Sequence, residues 1–234
     1  MLTIRKSDER GHANHGWLNT YHSFSFASYY DPKHMGFGPL RVINEDRVSP
    51  GKGFGSHGHE DMEILTYVIS GALAHKDSMG NVETLQANDL QRMTAGTGIV
   101  HSEFNGSTKD PVHFLQIWIQ PAEFGLTPSY DQLSLNEAEK SGKLRLVASP
   151  EPGKGVLKLH QDARVLIGQA EEAKPLDYAL PTGRKAWVHV IRGEASVNGQ
   201  PLEAGDAAAI TNEAAIAIRG TGPVAEVILF DLKQ

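Results

Sequence analysis

A strand-and-turn unit occurs twice in this chain and limits what the chain can become. The first copy runs Tyr67-Val-Ile-Ser-Gly71, then Gly80-Asn81, Leu85 and Asn88-Asp89. The second runs His189-Val-Ile-Arg-Gly193, then Asn198-Gly199, Leu202 and Gly205-Asp206. Each reads as a strand, a glycine, a tight hairpin, a leucine, and a small residue followed by Asp. The second hairpin is five residues shorter from glycine to Asp. A glycine supplies positive φ where a strand turns, and Asn-Gly favours a two-residue hairpin. A duplicated β-unit predicts two similar β-domains in one chain.

The remaining pattern agrees. Short apolar or alternating runs cover Ile64–Ile69, Val112–Ile119, Leu144–Ala148, Arg164–Gln169, Trp187–Ile191, Ala214–Ile218 and Val224–Phe230, and strong helical periodicity is nearly absent. Such runs, separated by glycine and asparagine turns, predict an all-β fold of barrels or sandwiches. One short helix is expected near Asn136–Lys140, with Asn136 as its cap. Pro121 to Gly142 is the boundary region, since it holds Pro121, Gly125 and Pro128 with little apolar patterning. The expected division is an N-terminal domain over 1–125, a linker over 126–142 and a C-terminal domain over 143–234.

Bulk composition narrows the function. The 234 residues carry a formal net charge of -6, which gives no general attraction for nucleic acid or anionic membranes. There is no cysteine, so disulfides, thiolate metal sites and cysteine nucleophiles are excluded. No apolar core of a signal peptide follows Met1–Arg10, and no run approaches the ~20 apolar residues of a membrane helix. A cytoplasmic protein is expected, and a monomer, because two fused domains can cover each other's faces.

The chemistry concentrates at two places. Gly51-Lys-Gly-Phe-Gly-Ser-His57-Gly-His59 sets two imidazoles on one side of a strand, because side chains alternate. Gly96-Thr-Gly98-Ile-Val-His101-Ser-Glu103-Phe-Asn105 does the same for an imidazole and a carboxylate. Two such strands facing each other can direct three imidazoles and one carboxylate to one point. That donor set suits a first-row divalent ion with open positions. His12, His15, His22, His34, His75, His160 and His189 are read as surface or hydrogen-bonded residues. In Val112–Ile119, Phe114, Gln116 and Trp118 share one face and His113, Leu115, Ile117 and Ile119 the other; either face can be the one turned to the metal.

These stretches resemble the two motifs of the cupins and, more closely, the pirin family. The resemblance is carried by Arg10-Gly-His-Ala-Asn-His-Gly-Trp17, His22-Ser-Phe-Ser-Phe26, Leu40-Arg-Val-Ile-Asn44, Met62-Glu63-Ile64 with His57 and His59, and Thr94-Ala-Gly-Thr-Gly-Ile99 with His101 and Glu103. It covers about the first 120 residues densely and is closest to bacterial pirins described as quercetinases. It implies a bicupin of two β-barrel (double-stranded β-helix) domains, with one iron(II) held by His57, His59, His101 and Glu103. The same donors also accept Mn, Co, Ni, Cu or Zn. Two departures are visible: the usual cupin glutamate register falls on Ile64, leaving Glu63 one residue short, and Gly96 replaces a proline.

The C-terminal domain is expected to lack the ion. His57 and His59 lie 14 and 12 residues before Gly71, and the same distances before Gly193 fall on Ala179 and Pro181. His101 and Glu103 lie 12 and 14 residues after Asp89, and the same distances after Asp206 fall on Ile218 and Gly220.

The resemblance implies a dioxygenase that cleaves the heterocyclic ring of a flavonol such as quercetin with O2 and releases CO. Glu103 would be the catalytic base as well as a ligand. Its partners would be a small aromatic substrate and O2, with no direct nucleic-acid or membrane partner. The same ligands would equally serve an iron-binding, redox-responsive regulatory protein with a protein partner. A cupin sugar-phosphate isomerase or epimerase is the third reading, from the fold alone.

Overall fold

The computed structural model describes residues 1–234 in full. Strands dominate, and the chain divides into a unit of Gly11–Ser134 and a unit of Met1–Arg10 with Leu135–Gln234. No helix is long and apolar enough to cross a membrane.

In the Gly11–Ser134 unit a seven-stranded sheet runs in the order Ser129–Ser134, Asp89–Thr94, Glu63–Ser70, Val112–Ile119, Leu40–Val48, Leu18–His22 and Gly11–Asn14. A four-stranded sheet runs Gly53–His59, Ile99–Asn105, Ala72–Asp77 and Val82–Gln86. The second unit repeats the plan. Its seven strands are Leu2–Arg5, Ala207–Thr211, Arg184–Arg192, Ala225–Lys233, Ala163–Ala170, Leu144–Ser149 and Leu157–Lys158, and its four are Leu176–Ala179, Ala215–Gly220, Glu194–Val197 and Gln200–Glu203. Pairing is antiparallel except between Leu144–Ser149 and Leu157–Lys158. This is the expected all-β bicupin. Its units are jelly rolls of two sheets; the hydrogen bonding does not run round into a closed barrel.

The duplicated motif occupies equivalent positions. Gly71 and Gly193 have φ of +81° and +75°. A Cβ on Gly71 would lie 2.7 Å from the Pro111 carbonyl oxygen, and one on Gly193 2.2 Å from that of Val224. Both glycines thus let a turning strand approach its neighbour's backbone. Leu85 and Leu202 are buried, and the two aspartates repeat one bond: Gln86 N donates to Asp89 at 2.7 Å and Glu203 N to Asp206 at 3.1 Å.

The interiors differ. In the second unit one continuous apolar cluster of 17 buried residues, including Leu176, Val188, Val197, Ile216, Ile218 and Leu229, joins the two sheets. In the first unit one cluster holds Leu18, Val48, Val68, Leu73, Leu85, Val112 and Phe114, another Ile64, Met93, Ala95 and Ile99, and further buried apolar residues such as Ile43, Leu65 and Leu115 lie outside both. Thr66, Gln91, His101 and Glu103 are buried in the same unit.

The domain limits need correction at both ends. Leu2–Arg5 pairs with Ala207–Ile210, and the Asp206 carboxylate accepts from Ser7 N and Lys6 Nζ, each at 2.7 Å. The first ten residues therefore complete the second unit's sheet and do not belong to an N-terminal domain. The linker over 126–142 contains a strand, Ser129–Ser134, paired with Asp89–Thr94. The expected helix does form, as one turn over Glu137–Lys140. Asn136 and Glu139 cap it reciprocally, each backbone N–H reaching the other's side chain at 3.0 Å. Lys140, fully buried, ties the turn to Glu226 at 2.8 Å.

The glycine geometry predicts unequal costs in the second unit. Gly199→Ala adds a Cβ with no atom within 4 Å at φ +82°, so only the left-handed backbone strain applies, about 1–2 kcal/mol. Gly193→Ala adds the same strain plus the collision with Val224. Urea unfolding should show a clearly larger loss for Gly193→Ala; equal losses would mean that close approach is not what the glycine serves.

Candidate metal centre

Strand Ile99–Asn105 alternates strictly: Ile99, His101, Glu103 and Asn105 are buried, while Val100 and Phe104 are exposed. His101 pairs with His57 and Ile99 with His59 across one side, and His101 pairs with Asp77 and Glu103 with His75 across the other. The register with Gly53–His59 shifts between His101 and Glu103. Gly53 permits the approach there, since a Cβ on it would lie 2.2 Å from the Glu103 carbonyl oxygen. Asn105 closes the strand by donating to the carbonyls of Val48 and Asp110, each at 2.9 Å.

The three predicted imidazoles converge. Ring centroids lie 4.8 Å apart for His57–His59, 4.4 Å for His57–His101 and 4.9 Å for His59–His101, with planes tilted 54–82°. Nε2 of His57 and Nε2 of His101 face each other at 3.0 Å, while His57 Nδ1 lies 2.8 Å from the Gly55 carbonyl. That carbonyl accepts only, so Nδ1 carries the proton and Nε2 keeps its lone pair. Burial, and then the neighbouring His57, push His59 down to about 4; burial, then His57, His59 and His75, push His101 down to about 3. Both rings are neutral near pH 7, as metal ligands must be.

Glu103 sits deeper. It is buried and accepts from Gln91 Nε2 and Gln116 Nε2, each at 2.9 Å, with Thr66 Oγ1 at 3.4 Å. Burial raises its carboxyl above the usual range, against the opposing pull of His75, His57 and the two amides. One ligand-type atom from each of His57, His59 and His101 lies within 4.8 Å of the others, and a second such group is His75, His101 and Glu103. The four predicted residues are thus joined through His101, with the carboxylate on the His75 side.

Sequence reasoning missed much of the surrounding shell. His75, set aside among the background histidines, is buried with Nε2 3.1 Å from Asp77 and its ring stacked on Tyr130 at 4.8 Å. The available signal was the alternation Leu73, His75, Asp77 on a strand following Gly71. Gln91 and Thr66 were not singled out either. The Phe114, Gln116 and Trp118 face of Val112–Ile119 is the inward one: Gln116 reaches Glu103, and Trp118 lies edge-on to His59 at 5.0 Å. Phe26 packs on Trp118 at 5.4 Å. Glu63 is buried but has the opposite parity from Thr66 on its strand, and its charge acts on Arg92.

The second unit's smaller sheet carries no such donor set. Pairing matches Ile218 with Leu176 and Ile216 with Tyr178, positions with no imidazole or carboxylate. Leu176 and Ile218 lie in the apolar core, the Tyr178 hydroxyl donates to Asp231 at 2.6 Å, and a Cβ on Gly220 would meet the Ala170 carbonyl at 2.5 Å.

The donors in the first unit fit a divalent ion. Imidazole nitrogens of His57, His59 and His101 converge, and the buried Glu103 carboxylate lies beyond His101. A divalent cation satisfies such a donor set.

Known proteins resemble this chain along nearly its whole length. The pirin family model matches residues 3–119, and that of the quercetinase C-terminal cupin domain matches residues 146–232. Quercetin 2,3-dioxygenase of Escherichia coli (strain K12) is 47% identical over 232 residues, 99% of each chain. The crystal structure of YhhW from Escherichia coli superposes with a TM-score of 0.95 at 46% identity, covering 99% of this chain and 97% of that one. Bacterial pirin YhhW in complex with nickel(II), from the same organism, gives 0.94 at 46% identity, covering 100% and 99%. With the inward histidines in place and the likeness spanning nearly every residue, the chain belongs to the pirin family.

Proposed function

We propose that this protein is a metal-dependent dioxygenase that opens the heterocyclic ring of a flavonol such as quercetin with O2 and releases CO. One observation carries the reading: a buried carboxylate of raised pKa stands behind three convergent, inward imidazoles, two of them held neutral by their surroundings. A relative of 47% identity bearing the name quercetin 2,3-dioxygenase supports it, and favours the enzyme over a purely regulatory role. His57, His59, His101 and Glu103 are the ligands we assign. Iron(II) is the ion we assign. Nickel(II), present in the related YhhW, suits the same donors, as do manganese, cobalt, copper and zinc.

A bound divalent ion supplies Lewis acidity and open positions for substrate and oxygen. The chain does the rest. Gln91 and Gln116 hold the Glu103 carboxylate between them. Its raised pKa makes it a better proton acceptor than an exposed glutamate, and it takes the proton of the flavonol 3-hydroxyl. Trp118 and Phe26 form an aromatic wall beside His59, against which a planar ring system can lie.

The direct test is anaerobic reconstitution with ferrous iron, followed by O2 uptake and CO release on adding quercetin. Both should appear in equal amounts and vanish in His101→Ala. Failure to turn over quercetin at full iron occupancy would overturn the reading.

Three further outcomes are expected. His101→Ala should lose more than about 90% of bound metal after desalting, by elemental analysis, because the remaining donors no longer converge; wild-type metal content would sink the ligand set. Glu103→Gln should lower turnover by about 10²–10⁴-fold, with a smaller effect on metal retention; unchanged turnover would exclude Glu103 as the base. In the metal-free protein His59 and His101 resist protonation when folded, so the unfolded chain binds more protons below the ordinary value of 6.5. Stability should therefore fall as pH drops from about 6.5 towards 4. His59→Gln should flatten that slope in urea unfolding measured at pH 7 and pH 5, and an unaltered slope would count against it.

A further inference from the structure

The segment 23–39 joins strand Leu18–His22 to strand Leu40–Val48 and is tied down along its length. Ser23 N donates to the Ile43 carbonyl at 3.0 Å, and Ser25 N to that of His34 at 2.6 Å. Ser25 Oγ donates to the Asp31 carbonyl and accepts from Asp31 N, each at 2.9 Å. At the tip Phe26 and Tyr29 exchange backbone bonds, Phe26 N to Tyr29 O at 3.0 Å and Tyr29 N to Phe26 O at 2.9 Å. The Tyr29 ring lies over Gly11, where a Cβ would stand 2.3 Å from it. Ala27, inside that turn, has a φ of +51°. A non-glycine residue rarely takes that conformation and keeps it only where the surroundings impose it.

What the turn fixes is the Phe26 ring. It packs on His22 at 5.4 Å, and that imidazole is held in turn by Asn44, whose Oδ1 lies 2.7 Å from His22 Nδ1. Phe26 also meets Trp118 at 5.4 Å and 87°, and Trp118 meets His59 at 5.0 Å and 82°. Three rings thus run in steps from an assigned metal ligand to the tip of the segment. Trp118 is anchored against the buried cluster of Ile64, Met93, Ala95 and Ile99. Phe26 and Trp118 are themselves only partly buried, so both keep open surface. A ligand held at His57, His59 and His101 that extends past His59 towards Trp118 meets an aromatic surface that cannot yield. Close contact with such rings needs a flat partner, because a tetrahedral carbon lifts substituents out of plane and opens a gap that forfeits dispersion.

We propose that Phe26 is a specificity-determining residue: its fixed ring, together with Trp118, selects substrates whose ring system is flat and fully conjugated over those with a tetrahedral carbon in the ring. Phe26 offers no donor, acceptor or proton, so it acts on binding and not on the chemical step. The inference rests on the flavonol reading and narrows it.

Two probes differ in the required feature. Quercetin is conjugated throughout, whereas dihydroquercetin has the same hydroxyls and carbonyl but a saturated bond in its central ring, so its phenyl group stands on a tetrahedral carbon. Dissociation constants for both are measured by isothermal titration calorimetry on the full-length protein loaded with Zn(II), which has no redox chemistry. The 3-hydroxyls of the two probes differ in acidity, but that difference is common to every variant. The quantity read is therefore the change in the ratio of the two constants. Phe26→Ala should lower the wild-type preference for quercetin about 3–10-fold, mostly by weakening quercetin. Phe26→Leu, apolar but not flat, should do the same, and Phe26→Tyr, which keeps a flat ring, should retain the preference.

The proposal is overturned if the ratio in folded Phe26→Ala stays within about twofold of wild type. It is also overturned if Phe26→Leu keeps the preference or Phe26→Tyr loses it. Should Phe26→Ala not fold, the Phe26→Leu and Phe26→Tyr proteins decide the matter. The wild-type titration separates the two levels. No binding of quercetin there removes the flavonol reading and this inference with it, whereas quercetin binding with a ratio indifferent to Phe26 removes this inference alone.

Discussion

Everything in the Gly11–Ser134 unit is arranged around a carboxylate that has been taken out of water. An isolated buried carboxylate is strongly disfavoured, so Glu103 has to be met by donors on the opposite sheet. Gln91, Gln116 and Thr66 supply them from three adjacent strands, Asp89–Thr94, Val112–Ile119 and Glu63–Ser70. Each must keep its inward parity for the contact to exist, and a register slip of one residue would turn every one of them away. The same parity carries Phe114 into the core and Trp118 to the side of His59. The site therefore fixes the register of the sheet as much as the sheet positions the site.

The duplication shows what that arrangement costs. Where the first unit has histidines, glutamate and amides, the second has Leu176, Ile216 and Ile218 in one uninterrupted core. Each fully buried aliphatic side chain contributes roughly 1.5–3 kcal/mol. Between its two sheets the first unit holds buried polar groups, Thr66, Gln91, His101 and Glu103, beside smaller apolar clusters. Two copies of one topology thus solve different problems. The second has an apolar core, and the first keeps inside it a set of polar donors that a cation can satisfy.

How much of this could be read from residues alone follows from the kind of information each feature needs. The duplicated strand–glycine–hairpin unit, the all-β class and the Asn136 cap depend on local backbone chemistry, and local chemistry is written in consecutive residues. The facing of His57, His59, His101 and Glu103 follows from alternation plus one assumption, that the two strands are neighbours, and they are. Features that depend on distant partners were hidden. Nothing about Leu2–Arg5 reveals that it pairs more than 200 residues away with Ala207–Ile210. Strand Ser129–Ser134 is mostly polar because it is an edge, so it resembles a linker. The inward side of Val112–Ile119 is undecidable from alternation, since both faces carry buried residues. His75 was discounted because a single histidine has no spacing partner; its meaning lies in strand pairing with Glu103.

The protonation pattern links the polar interior to its ligand. Burying His59 and His101 beside His57 makes a second positive charge costly, so both imidazoles stay neutral well below their ordinary pKa. The Gly55 carbonyl holds the Nδ1–H of His57, so the 3.0 Å contact between His101 Nε2 and His57 Nε2 is a hydrogen bond carrying one proton. A divalent cation would take the place of that proton and also give Glu103 a positive partner. Whatever binds the folded protein but not the unfolded chain stabilises the fold by mass action. The proton released on binding and the affinity for the ion are then two parts of one free-energy difference, to which the fold contributes by holding the donors together.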